Sequence, residues 1–296
     1  MNALRPITAL IIFLWGSLIL NAQDQKPANL DTAPPRIAYL GYREIYPGKS
    51  ADYKKLMITL SRGSDRVETQ KFWIDLESLT GNPQEIIFSP FDSYEHMAQS
   101  NAEWSQLLGA HPDLDRAQQE IEGEIGSQSK IIAVRRDDLG YLVENIDFSE
   151  MRFLHILEVR VLPGHEGDFA ESFKIVADAY SKIHSDVPWA VYQIDAGTSV
   201  PAFIVIRPMA ELKQNDDILT LGGTLADAEG EQSVETLTRI ARESVVSTES
   251  NLYAVNPEMS HVSKAFAGTD PKYWIHRPNQ EIRPEIKADP KSPSSH

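Results

Sequence analysis

The feature that most constrains this chain is a stretch that occurs twice. Residues 36–53 read RIAYLGYREIYPGKSADY and residues 152–169 read RFLHILEVRVLPGHEGDF, an ungapped match 116 residues apart (36 to 152). Arg36 matches Arg152, Pro47 matches Pro163, Gly48 matches Gly164 and Asp52 matches Asp168. In each copy alternating apolar residues read as a strand, Pro-Gly stops it, and an acidic first turn suits the positive end of a following helix. Trp73 and Trp189 keep the same separation, as do Gly81 and Gly197. After a small insertion Pro83 aligns with Pro201 and Pro90 with Pro208. Punctuation repeated in this order implies a duplicated unit.

Hydrophobic patterning fills in the rest. The first half reads as strands at 37–46, 71–78, 85–89 and 130–135, with helices from 50, over 92–108 and over 112–125. The second reads as strands at 153–162, 189–195, 202–207 and 251–255, with helices over 165–183, from 209 and over 231–247. Each half is βαββαβ with extra helix before the last strand, the split-βαβ arrangement. A four-stranded antiparallel sheet with helices on one face leaves its other face to be covered, and the other half is the simplest cover.

These strand–Pro-Gly–helix openings, with the run Ser89-Pro90-Phe91-x-Ser93-Tyr94-x-x-Met97, resemble the dimeric α/β-barrel superfamily. The resemblance spans roughly residues 37–255. It implies an α+β fold, two ferredoxin-like βαββαβ repeats whose antiparallel sheets pack face to face as a fused α/β barrel. It implies no single activity, because that superfamily includes cofactor-free monooxygenases, haem proteins, isomerases and proteins of no known activity.

The expected organisation is a signal peptide at 1–22, a linker at 23–35, repeats at 36–138 and 152–276 joined by a connector at 139–151, and a disordered tail at 277–296. Arg5 precedes an uncharged apolar run at 7–20, too short to span a bilayer comfortably, which predicts export to a periplasmic or extracellular location without stable membrane insertion after cleavage. The linker and tail are rich in proline. A net charge of −15 argues against nucleic acid as a partner. With no cysteine the chain has neither disulfides nor thiolate chemistry. Composition leaves the oligomeric state open, a homodimer included.

No standard catalytic motif is present; Gly222-Gly223 reads as a turn. His165, Glu166 and Asp168 fall in a helix first turn, where capping explains them better than metal. Strand alternation nominates a surface instead. Glu158 and Arg160 share one face of the 153–162 strand, and Tyr42 and Glu44 are their counterparts. Trp73 and Asp75 share a face, as do Trp189 and Gln193. Placed between the sheets, these eight residues would bind a small organic ligand. Glu158 and Arg160 also suit a structural ion pair closing the two sheets. Two further readings stand beside this one. The first is a cofactor-free oxygenase using such carboxylates as bases toward an activated aromatic substrate. The second is a haem protein through His155, although alternation turns His155 toward the helices. No cofactor is expected on the first two readings.

Overall fold

The computed structural model describes residues 32–216, 223 and 225–275. Residues 1–31 and 276–296 lie outside that range, and with them the expected signal peptide, most of the linker and the tail; Gly222 of the expected turn lies outside it too.

Eight antiparallel strands form a closed barrel in the order β1-β3-β2-β8-β5-β7-β6-β4. The first half contributes β1 (Ile37–Ile45), α1 (Ser50–Arg66), β2 (Trp73–Ser78), β3 (Gln84–Phe91), α2 (Tyr94–Ala110), α3 (Pro112–Gly123) and β4 (Ile125–Arg135). The second contributes β5 (Phe153–Val161), α4 (Glu166–Lys182), β6 (Ala190–Ala196), β7 (Ala202–Met209), α5 (Glu231–Ser244) and β8 (Val245–His261). Two short helices follow, α6 (Lys264–Thr269) and α7 (Pro271–Trp274). Pairing of β2 with β8 and of β4 with β6 closes the ring. The turns after β1 and β5 place Gly48 at φ 80° and Gly164 at φ 90°, a backbone region open to glycine.

The two halves share their registers. Arg43 faces Glu85 across β1 and β3, and Val159 faces Phe203 across β5 and β7. Asp75 faces Ile87, and Val191 faces Val205. Both β1–β4 and β5–β8 slip at one place, between Glu44 and Ile45 and between Arg160 and Val161.

Alternation gives the barrel two kinds of face. Its interior is a packed core. Ala38, Leu40, Ile74, Leu76, Ile86 and Phe88 meet Leu154, Ile156, Ala190, Tyr192, Ile204 and Ile206, each 2% exposed or less. Burial of each large side chain there contributes roughly 1.5–3 kcal/mol. One end of the barrel is closed by the expected connector, whose Ile146, Phe148 and Met151 are buried with Phe266 and Trp274 from α6 and α7. The described end of the expected linker is docked at this end. Thr32 is buried and its carbonyl accepts from Phe148 N at 2.7 Å, while Pro35 O accepts from the Tyr192 hydroxyl at 3.1 Å.

Outside the ring, α1 lays Tyr53, Met57 and Leu60 on the first sheet at helical spacing. The second sheet is covered by Phe169, Phe173 and Tyr180 of α4.

Strands β4 and β8 begin earlier than the sequence pattern indicates. Near their starts, residues 127–130 and 247–250 are exposed on both faces and polar, so they carry no period-2 signal.

Candidate functional site

Between the first sheet and α1–α3 lies a cavity of about 500 Å³, within the range of small-molecule sites. Its floor is β1. Gly41 stands mid-strand with Tyr39 and Arg43 on either side, and all three line the space. A glycine inside a strand leaves nothing to pack, and here a side-chain carbon added at Gly41 would meet the Tyr39 ring at 3.3 Å. Trp73, Ile87, Phe91 and Trp104 form apolar walls with Met57 and Met97. Trp73 is fixed by donating to Met259 O at 2.7 Å and meets Trp104 edge-on at 6.1 Å. The Trp104 indole donates to Gln118 at 2.8 Å.

The polar groups converge from two levels. At depth, Arg43 Nη1 donates to the Tyr53 hydroxyl at 3.1 Å and lies 3.7 Å from Met57 S. A guanidinium carries five donors, so this leaves others for a ligand. Tyr39 lies over Gly41, and its hydroxyl has no partner among the described residues; burial raises its pKa. At the mouth, Lys71 Nζ donates to Asn101 at 2.8 Å and sits 5.9 Å from the Phe91 ring centre. Burial lowers the Lys71 pKa. Lys130, exposed on β4 opposite Gly41, lines the cavity from the other side.

Behind Arg43 the same sheet face holds two buried carboxyls, Asp75 at 0% and Glu85 at 9% exposure. Burial raises both pKa values, the two carboxyls perturb each other, and both Asp75 oxygens and Glu85 Oε2 are buried with no donor among the described residues. Two carboxylates cannot both stay ionised side by side in such a place, so they hold a proton between them. Glu85 carries it, because the Asp75 charge and then that of Glu77 raise it further, whereas Asp75 is lowered by Glu85 and by Arg43. Ser260 of β8 completes the shell, its hydroxyl accepting from Asp75 N at 2.9 Å.

The second half has the same register without these features. Where the first half has Gly41, Arg43, Tyr53, Asp75 and Glu85, the second has Leu157, Val159, Phe169, Val191 and Phe203. Phe169 stacks on Phe203 at 4.3 Å, and Val159 and Val191 are buried beside them. The fold therefore closes over this position with apolar side chains alone. The buried polar cluster of the first half is not a requirement of the architecture.

The eight residues nominated from sequence do not come together. Tyr42 and Glu158 enter the barrel interior, where the Tyr42 hydroxyl donates to the Glu158 carboxylate. Burial raises the Glu158 pKa, the Tyr42 bond opposes this, and Glu249 adds to it. Glu44 and Arg160 lie exposed at the open end of the barrel, Glu44 accepting from the Ser127 hydroxyl at 2.7 Å. The expected Glu158–Arg160 pair is replaced by the Tyr42–Glu158 bond. Trp73, Asp75, Trp189 and Gln193 sit on the opposite face from the one expected, under the helices. Trp189 stacks on Tyr141 at 4.9 Å, and Gln193 accepts from Arg136 at 2.8 Å. The reason is strand phase. Both faces of the second strands carry large apolar residues, and Ile74 and Leu76, with Ala190, Tyr192 and Ile194, fill the barrel instead. The space between the sheets is thus core, and the ligand-sized space lies outside it.

Sequence reasoning passes over Gly41, Arg43, Tyr53 and Glu85. The signal is present: the repeat aligns Gly41 with Leu157 and Arg43 with Val159, a loss of bulk and a gain of charge at paired positions.

Among the described residues no group of three or more His, Asp and Glu is placed to hold a metal ion. Haem through His155 does not fit. His155 is on the outer face of β5 with Nε2 2.7 Å from the Ser250 hydroxyl. It lines neither this cavity, which has no histidine, nor a smaller one beside Arg207.

No protein-family model matches the chain, and no curated protein matches it. Solved structures resemble it in chain path. An anthrone oxidase-like protein is 10% identical over 76% of this chain and 93% of its own, with TM-score 0.48. A mutant chlorite dismutase from Candidatus Nitrospira defluvii is 9% identical over 76% of this chain and 93% of its own, with TM-score 0.48. A haem-binding protein from Thermus thermophilus is 11% identical over 80% of this chain and 99% of its own, with TM-score 0.42. At such values the likeness is one of fold alone.

Proposed function

We propose that this chain binds a small organic ligand in the cavity between its first sheet and α1–α3. The observation that carries the reading is the contrast at Gly41. In one half a glycine opens about 500 Å³ beside a half-buried arginine, and in the other, at the same register, Leu157 and its neighbours fill the space. A second reading is catalytic, proton abstraction from an activated aromatic substrate without a cofactor. Its support is the proton-sharing Asp75–Glu85 pair behind Arg43.

The shared registers and paired strand slips support descent of the two halves from one duplicated unit. The charge-free run at 7–20 supports export.

A thermal-shift screen with a library of small aromatic and aliphatic fragments tests the binding reading. Fragments that raise the melting temperature should lose their effect on the Gly41→Leu protein. Equal shifts in both proteins would place the binding elsewhere. Turnover of an activated phenol, abolished by Asp75→Asn with binding retained, would favour the catalytic reading.

A further inference from the structure

Charge within the cavity runs against charge over the chain. The whole chain carries −15, yet Arg43, Lys71 and Lys130 line this space with Glu122 as the acid among the lining residues. The cations are ordered in depth, with Lys71 and Lys130 toward the mouth and Arg43 at the floor. Between them the lining includes the aromatic rings of Tyr39, Trp73, Phe91 and Trp104. Aromatic walls with an arginine at the end describe a slot for a planar ring bearing an acidic group.

Arg43 also faces backward. Across β1 and β3 it faces Glu85, and its charge also couples to Asp75, one strand further on in β2. The groups facing the Asp75–Glu85 pair are Arg43 from β1, Tyr53 and Lys54 from α1, Glu77 from β2, and the Ser260 hydroxyl from β8. Arg43 is the cation among them that lines the cavity. An anion arriving on Arg43 competes with Asp75 for the same positive charge. It also brings a like charge toward a buried carboxylate.

Resting on the binding reading above, we propose that the cavity takes a planar aromatic anion whose acidic group displaces Asp75 as the electrostatic partner of Arg43, so that a proton enters the Asp75–Glu85 pair as the ligand binds. The pair already holds one proton between two carboxyls, and a second converts it to two neutral acids, the form burial favours. The ligand is then taken from water as an anion together with a proton, which leaves the charge of this buried site unchanged. The second half offers no such exchange, having Val159, Val191 and Phe203 at the corresponding places.

The test is calorimetric titration of the whole protein with 1-naphthoate and with its neutral analogue 1-naphthamide, at about pH 7 in phosphate and in Tris. These buffers differ in ionisation enthalpy, so a difference in observed heat counts protons taken up. The acid should bind at least about tenfold more tightly than the amide, with uptake of up to roughly one proton. Asp75→Asn should bind the acid without uptake. Arg43→Gln should erase the preference for the acid, and Lys130→Gln, on the exposed rim, should weaken that preference in a protein whose core is untouched. Equal binding of acid and amide, both lost in Gly41→Leu, would overturn the anion proposal and leave the cavity reading standing. Binding of the acid with identical heats in the two buffers would overturn the proton exchange. If neither probe binds and tryptophan emission from Trp73 and Trp104 is unchanged, the planar-anion proposal is overturned, and the cavity reading stands or falls on the fragment screen.

Discussion

Replacing Gly41 by leucine gives the first half the residue that the second half carries at Leu157. The strand backbone accepts a side chain there, and the nearest contact, the Tyr39 ring at 3.3 Å, has the cavity to move into. The Gly41→Leu protein should therefore keep its stability within about 1 kcal/mol by denaturant unfolding, and lose ligand binding. The buried carboxyls make a prediction in pH. Burial raises both, so the folded chain keeps protons that the unfolded chain has released above the ordinary carboxylate range. The stability they contribute is full below that range and is lost as pH rises through the raised one. Asp75→Asn should remove this loss, leaving the variant on the order of 2 kcal/mol more stable than the parent at about pH 8 and closer to it at about pH 5. Urea unfolding at the two pH values measures the difference. These residues are only partly legible in the sequence. Asp75 stands out as a carboxylate on an apolar strand, but whether it faces core or helices depends on which layer the Phe72, Ile74 and Leu76 face packs against, and both layers are apolar.

At the scale of elements, the bend of β8 builds the wall behind the site. Asp75 faces Asn256 and Trp73 faces His261, so β8 takes more residues than β2 to cover the same distance. The excess brings Ser260 to Asp75 N, Met259 O to the Trp73 indole, and Ser260 O to the Ser61 hydroxyl of α1. Ser260→Ala leaves the Asp75 amide without its acceptor in a buried place and should cost about 1–3 kcal/mol, read by denaturant midpoint. Ser247→Ala on the exposed start of β8 should cost nothing measurable. The order of strands and helices is readable because turns and amphipathic helices leave strong local marks. The length of β8 is not, since the bend depends on contacts with β2 and α1, and the polar start of the strand resembles a loop.

For the molecule as a whole, one ring of strands serves both halves. Neither sheet is covered on its inner face without the other, because Ala38, Leu40, Ile74 and Leu76 pack on residues of β5 to β8. A fragment of residues 32–138 alone should therefore run as a dimer or aggregate in size-exclusion chromatography with light scattering, and a monomer with native-like melting would contradict the shared core. The described end of the expected linker belongs to this unit. Ending a truncation at residue 31 spares the bonds of Thr32 O and Pro35 O, whereas removing residues 32–35 should cost about 2 kcal/mol. The repeat announces the barrel because paired punctuation survives in sequence. The cavity stays hidden because it arises from a difference between the halves, a missing side chain at Gly41, rather than from their likeness. The most direct test of that cavity as the binding site is a crystal structure of the protein soaked with a fragment that raises its melting temperature. The ligand should lie over Gly41, bounded by Tyr39, Arg43, Trp73 and Trp104. A ligand found at the open end of the barrel near Tyr42 and Glu158, with the space over Gly41 empty, would contradict the account.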